Sequence, residues 1–411
     1  MIKYQKQILD NGLTVLVNRD SASKLAAVNI LYCVGARNEN PARTGFAHLF
    51  EHLMFRGTEQ FPDFDTVVQM ASGENNAFTN NDYTDFYITL PKDNIEVALA
   101  LEADRMCGLS LTDEKLETEK KVVIEEFKQR YLNQPYGDQN MLLREAAYKV
   151  HPYRWSTIGM SIDHIEGATM EEVMAFYHRH YHPANAILSI SADIEPDQMF
   201  TLAKRWFGNI PAREVSASLI PAEPKQSTAR RCEVERDVPA TTITIAFHIG
   251  ERLSDDFFTS DLISDLLAGG DSGRLNQRLV KEQRLFTSVN CYVTGDIDPG
   301  LLIFTGQLLD TTTQEQAETA LWAEIESLKR DDVDSYELEK VKNKFEANTL
   351  FGEINVMNKA MNLGFYQMVG DIELINREVD IYRSIEASRI KEFSTRVLRA
   401  ELSTTLIYKK S

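Results

Sequence analysis

One stretch of the chain decides the fold around it, Gly45-Phe46-Ala47-His48-Leu49-Phe50-Glu51-His52-Leu53-Met54-Phe55. Its apolar residues leave no wholly polar face, so a helix here is expected to be mostly buried. Buried ionisable side chains cost free energy unless another group satisfies them. His48 and His52 are four positions apart and stack on one helical face, with Glu51 beside them. Two imidazoles at this spacing suit one zinc ion and leave the carboxylate free to act on a water molecule.

Chance is the alternative explanation of this pattern. The chain contains 8 histidines among 411 residues, so a His-x-x-Glu-His sequence is expected roughly 0.01 times in a chain of this composition. Two ligands do not complete a zinc site, so a third must come from elsewhere in the chain.

Composition limits the possible functions. A hydrophobic fraction of 43% over 411 residues is ordinary for a globular chain of about two to three domains. The net charge of −18 argues against nucleic acid and against an anionic membrane surface as partners. No apolar run approaches the roughly 18 residues that span a bilayer.

The cysteines and the N-terminus bear on the compartment. Cys33, Cys107, Cys232 and Cys291 are scattered and form no CxxC pair, which favours free thiols in a reducing compartment. Residues 1–7 contain no apolar core of a signal peptide. A cytoplasmic location is therefore predicted, and a periplasmic one stays open if a leader peptide has been removed.

The chain repeats one pattern. A strand over 28–34 ends at a glycine and is followed by a loop and the buried histidine-bearing helix. A strand over 242–249 also ends at a glycine and is followed by a loop and an apolar helix over 257–268. An internal duplication is predicted, with a catalytic domain at 1–212, a linker at 213–230 and a homologous domain at 231–411. Because the second helix carries Asp261 and Asp265 in place of the histidines, the second domain is predicted to lack a metal site.

A long helix is predicted over 112–131. Glu119 and Glu126 are seven residues apart on it, which is about two turns, so both carboxylates point the same way. A solvated acidic helix would have the same pattern, and it is the histidine motif that favours a metal role for these residues.

The reversed order His-x-x-Glu-His marks the inverzincins. With it, the chain resembles the pitrilysin/insulinase family of zinc peptidases, and within that family the short bacterial members and the catalytic subunit of the mitochondrial processing peptidase. The matching segments run along nearly the whole chain, at 35–39, 48–57, 76–79, 119–126, 158–159 and 270–275. The resemblance implies an α+β fold of two homologous domains, each a mainly antiparallel sheet packed with helices.

The resemblance also implies a third zinc ligand. In the family it is the eighth residue of a segment beginning Glu-Arg-x-Val-Val, and the matching residue here is Glu126. Glu119 matches a supporting carboxylate of the family. The neighbouring Glu125 is an alternative ligand, but on a helix it faces about 100° away from Glu126, whereas Glu119 shares the face of Glu126.

The implied activity is that of a zinc-dependent endopeptidase acting on extended or unfolded peptides. His48, His52 and Glu126 would hold the zinc ion and leave a fourth position for water. Glu51 would be the catalytic base that takes a proton from this water and delivers it to the leaving amine. Glu119, the second predicted catalytic residue, would orient a ligand histidine or the water.

The segment 75–79 is predicted to be the first arm of a hairpin at a sheet edge, because it is small and polar. Family members bind the peptide substrate there as an added strand, with affinity from backbone hydrogen bonds. Asn76 and Ala77 are therefore the predicted substrate-binding residues. An ordinary solvent-facing edge strand is the alternative.

The chain departs from the family at two positions in the second half. Members with a complete site carry an Arg and a Tyr that help to hold the substrate and its oxyanion, whereas this chain has Val280 and Thr287 there. Neither side chain donates a charged or phenolic hydrogen bond. In some relatives the two halves of the site lie on different chains. We therefore expect the zinc-bearing subunit of a heterodimer, whose homologous partner supplies the Arg/Tyr pair.

Two other functions remain open at this point. Non-catalytic structural subunits such as the core proteins of the respiratory bc complex share the fold, although their zinc motif is usually eroded. A metal-bound peptide-binding module, inactive by itself, would also fit Val280 and Thr287.

Overall fold

A computed structural model describes residues 1–215 and 219–411 of the chain. The strands are β1 (Gln5–Ile8), β2 (Thr14–Arg19), β3 (Leu25–Tyr32), β4 (Glu74–Thr79), β5 (Thr84–Pro91), β6 (Ala186–Ala192), β7 (Arg230–Arg236), β8 (Thr242–His248), β9 (Phe286–Val293), β10 (Leu301–Leu308) and β11 (Ser403–Lys410). The helices are α1 (Phe46–Leu53), α2 (Phe64–Met70), α3 (Ile95–Cys107), α4 (Asp113–Phe127), α5 (Gln139–Ala147), α6 (Ile162–Glu166), α7 (Met170–His180), α8 (Pro196–Phe207), α9 (Asp255–Ala268), α10 (Gln314–Arg330), α11 (Ser335–Gly352), α12 (Val356–Met368), α13 (Leu374–Ser384) and α14 (Ala387–Val397).

The chain divides into two compact units. The first contains Met1–Lys128, Trp155–Ile220 and Leu350–Asn376, and the second contains Gln129–Arg154, Pro221–Thr349 and Arg377–Ser411. Each unit is therefore assembled from three separate segments of the chain.

The first unit contains a sheet with the strand order β1-β2-β6-β3-β5-β4. Only β2 and β6 pair in parallel, and the other neighbours are antiparallel. The strand β3 is central, and seven of its eight residues are buried. The strand β4 lies at the edge, as its polar sequence predicts.

The sheet of the second unit has the order β7-β11-β8-β10-β9. Here β7 and β11 pair in parallel and the other neighbours are antiparallel. This order and these directions match those of β2-β6-β3-β5-β4 strand for strand. The predicted duplicated α+β fold, with a mainly antiparallel sheet in each half, is confirmed.

One helix of each half of the sequence packs in the unit of the other half. The helix α12 lies on β3 and β6 of the first sheet, where a Cβ on Gly364 would come within 3.1 Å of Asn29 Oδ1. The helix α5 packs on β7 and β11 of the second sheet, and its Leu143 and Ala147 join the buried cluster around Leu406.

The sequence halves therefore differ from the compact units. The boundaries 1–212 and 231–411 stay a prediction about the repeat. Residues 216–218 of the predicted linker lie outside the described residues. Among the described residues, every helix is too short or too polar to cross a membrane.

Candidate metal centre

The histidine-bearing helix α1 begins at a left-handed glycine. Gly45 has φ of 92°, a conformation that is strained for residues with a Cβ, and a Cβ there would lie 2.6 Å from the carbonyl oxygen of Ile158. Most residues of α1 are buried, among them Leu49, Phe50 and Leu53. The prediction of a mostly buried helix is confirmed.

Glu39 takes the place of an N-cap side chain for α1. Its two carboxylate oxygens accept the backbone N–H groups of Gly45 and Ala47, both at 2.9 Å. These are among the N–H groups that a helix start leaves without a partner. Burial raises the pKa of Glu39 to about 8, while the N–H groups of Ala47 and Gly45 lower it. Glu39 belongs to the segment 35–39 that resembles the family, but no rule of residue spacing predicts its hydrogen bonds to the start of α1.

Replacing Glu39 by Gln is expected to lower the free energy of unfolding by about 1–3 kcal/mol, because the amide NH2 would face a buried N–H that then lacks an acceptor. Urea unfolding measures the change. The control is Glu96→Gln, which alters a carboxylate that is 45% exposed and paired with Arg205; we expect it to change the free energy by less than about 0.5 kcal/mol. Equal effects of the two substitutions would contradict a capping role for Glu39.

Three predicted ligands lie together. One donor atom each from His48, His52 and Glu126 falls within a group whose members are at most 4.8 Å apart. The Oε2 atom of Glu126 is 3.3 Å from Nε2 of His52, and its Oε1 atom is 3.8 Å from Nε2 of His48. Two ligands about 2.0–2.1 Å from one zinc ion are about 3.4 Å apart at a tetrahedral angle. The nitrogen and oxygen donors present here therefore fit a zinc ion in type and spacing.

The adjacent glutamate of α4 points elsewhere. Glu125 has a side chain that is 61% exposed and pairs with Lys128 at 2.6 Å. The helix begins after Thr112, whose hydroxyl accepts the N–H of Lys115 at 3.2 Å. The predicted difference in direction between Glu125 and Glu126 is confirmed.

Glu119 lies next to the Nδ1 atom of His52. Its side chain is only 1% exposed, and its Oε2 atom is 3.4 Å from Nδ1 of His52. The imidazole therefore has Glu119 at one nitrogen and Glu126 at the other. Burial lowers the pKa of His52, but the hydrogen bonds that its imidazole donates to Glu119 and Glu126 outweigh burial and raise the pKa to about 9. These carboxylates favour a positive charge at this position, which a bound cation would also supply.

Glu51 is partly exposed on α1 and is not among the three clustered donors. Burial raises the pKa of Tyr181, and the negative charge of Glu51 raises it further. Burial likewise raises the pKa of Tyr87 on β5, with a smaller contribution from Glu51. Glu51 thus lies on the helix that carries the histidines, and its negative charge acts on both phenols.

The predicted substrate-binding residues lie on the edge strand β4, which packs near α1. Asn76 is opposite Tyr87 and Ala77 is opposite Phe86 in the pairing with β5. The Asn76 side-chain oxygen accepts the N–H of Ala77 at 2.8 Å. The role of both residues stays a prediction.

In the second unit, the helix α9 corresponds to α1. Its Asp265 pairs with Lys344 of α11 at 2.7 Å, and its Asp261 accepts a hydrogen bond from Tyr382 at 2.5 Å. Burial raises the pKa of Asp261. Where α1 presents imidazoles, α9 thus presents carboxylates that already have protein partners.

The positions that depart from the family also lie in the second unit. Val280 is in a π-helical turn, Asn276–Glu282, and Thr287 on β9 donates its hydroxyl hydrogen to the carbonyl of Gln307 at 3.1 Å. The nearby Arg278 pairs with Glu324 at 2.8 Å.

Two family models match the chain. The model described as "Insulinase (Peptidase family M16)" matches residues 14–160, and the model described as "Peptidase M16 inactive domain" matches residues 167–345. The chain belongs to the insulinase family of peptidases, family M16.

Similar proteins carry names that agree with this family. A relative named zinc protease PqqE, from Helicobacter pylori, is 28% identical over 413 positions, covering 99% of this chain and 93% of the relative. A probable mitochondrial-processing peptidase subunit beta from Schizosaccharomyces pombe is 26% identical over 73% of this chain and 68% of its own length. The crystal structure of a protease from Helicobacter pylori has a TM-score of 0.95 and 27% identity, over all of both chains.

Proposed function

We propose that this chain is a zinc-dependent endopeptidase that hydrolyses extended or unfolded peptides. The observation that carries the proposal is the convergence of donor atoms from His48, His52 and Glu126 within 4.8 Å of one another. The buried Glu119 carboxylate next to Nδ1 of His52 adds to it. The names of the relatives, which include zinc proteases, support the same activity.

Each side chain has a separate role in this proposal. His48 and His52 offer Nε2 and Glu126 offers a carboxylate oxygen to the metal. Zinc, when bound, lowers the pKa of a water molecule and polarises a carbonyl group. Glu51 accepts a proton from the attacking water and returns it to the leaving amine. Glu119 accepts the Nδ1 hydrogen of His52 and so keeps Nε2 turned towards the metal.

The peptide would bind along β4. An added strand forms hydrogen bonds with the backbone of an edge strand and makes little demand on sequence. The side chain of Asn76 would have to leave the N–H of Ala77, which it now occupies, before a peptide carbonyl could take its place.

The chain would act as one subunit of a heterodimer. Val280 and Thr287 provide neither a cation nor a phenol for the substrate, so an Arg and a Tyr would come from a homologous partner. A homodimer would not supply them, because every copy has the same two residues.

Peptidase activity and zinc content of the same sample test this proposal. A quenched fluorescent peptide is incubated with the chain alone, and with the chain mixed with the product of a neighbouring homologous gene. About one zinc ion per chain, with hydrolysis only in the mixture, is the expected result. Full activity of the chain alone would contradict the split site, and absence of zinc with no hydrolysis in either sample would contradict the enzyme.

A second candidate is a non-catalytic structural or peptide-binding subunit with this fold. The absence of the Arg/Tyr pair at positions 280 and 287 favours it, while the convergent donor set disfavours it. A structural subunit predicts neither zinc nor hydrolysis in either sample, and a metal-bound peptide-binding subunit predicts zinc without hydrolysis by the chain alone.

A further inference from the structure

Arg56 lies just beyond the histidine-bearing helix and forms an ion pair with Glu119. The pair joins Nη2 of Arg56 to Oε1 of Glu119, and the two side chains are 43% and 1% exposed. The backbone N–H of Arg56 still bonds to the carbonyl of Leu53 in α1, at 3.0 Å. The guanidinium therefore connects the end of α1 to the middle of α4.

The two oxygens of Glu119 have different neighbours. Oε1 pairs with Arg56, and Oε2 lies 3.4 Å from Nδ1 of His52. The Glu119 side chain is buried, and its ion pair with the positive charge of Arg56 at Oε1 restricts rotation of the carboxylate. Oε2 is therefore kept towards His52, whose other nitrogen faces Glu126 at 3.3 Å.

The main chain of Arg56 is itself held in place. Its carbonyl oxygen accepts a hydrogen bond from Nζ of Lys115 at 3.0 Å, and the same Nζ donates to the carbonyl of Ser110 at 2.7 Å. Lys115 belongs to the first turn of α4. Arg56 thus reaches Glu119 from a backbone that is already fixed to the helix carrying Glu119.

We propose that Arg56 is a positioning residue of the metal centre, acting through Glu119 on the orientation of the His52 ligand. This inference rests on the proposed metal role of His52 and Glu126. Groups beyond the direct ligands typically change metal affinity by about 10- to 100-fold. If this partly exposed ion pair had no such role, its removal would change the zinc affinity and the free energy of unfolding only slightly.

The test is the rate at which the zinc-loaded chain releases zinc to an excess of a chromogenic chelator. Arg56→Met is expected to release zinc about 10 to 100 times faster than the natural chain, and Arg56→Lys should recover part of the loss because the charge remains. The matched control is Arg205→Met, which removes an arginine that is 59% exposed and paired with Glu96 in the same unit. The proposal would be overturned if Arg56→Met released zinc at the same rate as Arg205→Met.

A double-mutant comparison separates positioning from a general loss of structure. If Arg56 acts through Glu119, Arg56→Met should change the release rate less than about twofold in a Glu119→Gln background. If the two substitutions change the release rate independently, so that their effects multiply in the double variant, the proposal is overturned. Should Arg56→Met not fold, Arg56→Lys provides the same comparison. If the natural chain binds no zinc, the proposed function itself is refuted. If the natural chain binds zinc and replacing Arg56 does not change the rate of zinc release, only this inference is refuted.

Discussion

Replacing Glu51 by Gln is expected to lower kcat for peptide hydrolysis by about 100- to 10,000-fold while the chain keeps its zinc. Glutamine has the size of glutamate but does not accept a proton from water at neutral pH. Glu51 is partly exposed and lies outside the cluster of three donor atoms. The substitution should therefore leave both the fold and the metal in place.

The measurement for Glu51→Gln is kcat in the active assembly, with zinc content determined on the same sample. Glu125→Gln is the control, since Glu125 is 61% exposed and pairs only with a surface lysine among the contacts described above. Unchanged turnover in Glu51→Gln would remove Glu51 as the base. Loss of zinc from this variant would assign Glu51 to the metal instead.

Replacing Glu126 by Gln is expected to weaken zinc binding by more than about 100-fold. Replacing a residue that only contacts a metal ligand already lowers metal affinity by about 10- to 100-fold. The two oxygens of Glu126 face His48 and His52 at 3.8 and 3.3 Å. Without this carboxylate, two neutral imidazoles remain, and the anionic ligand that offsets the charge of the ion is lost.

Competition with a chelator measures this change in affinity, and hydrolysis should disappear in parallel at low free zinc. Glu125→Gln again serves as the comparison, because it removes the same charge from the next position of α4. Retained zinc in Glu126→Gln, with loss of zinc from Glu125→Gln, would show that Glu125 is the ligand.

The two units compensate the negative charge of carboxylates near the corresponding helices α1 and α9 in different ways. In the second unit, Lys344 compensates the charge of Asp265 on the helix that follows the glycine. In the first unit, Glu119 and Glu126 converge on His52, and against the lowering effect of burial their hydrogen bonds and negative charge raise the pKa of His52 to about 9. A bound cation would compensate these carboxylates as an ammonium group compensates Asp265.

The sequence alone determined those features that depend on residues close together in the chain. The spacing of His48, Glu51 and His52 set them on one helix, and the seven-residue spacing of Glu119 and Glu126 set both on one face. These inferences hold because the helix repeats every 3.6 residues whatever surrounds it. The duplication was also visible, since both halves repeat the order of strand, glycine, loop and apolar helix.

The edge strand β7 and the exchanged helices needed the tertiary structure. The strand β7 has the charged sequence Arg-Arg-Cys-Glu-Val-Glu-Arg, and its first residue falls within the predicted linker. Its conformation follows from pairing with β11, about 170 residues later in the chain. The helix α12 was not predicted, and its packing on the first sheet depends on Gly364 lying close to Asn29.

The contacts that complete the candidate site also came only from the tertiary structure. Arg56 meets Glu119 and Glu39 meets the start of α1 because separate segments pack together. Local sequence patterns specify which residues share a face of one element. They do not specify which residues of another element will face them, because that is decided by the packing of the whole chain.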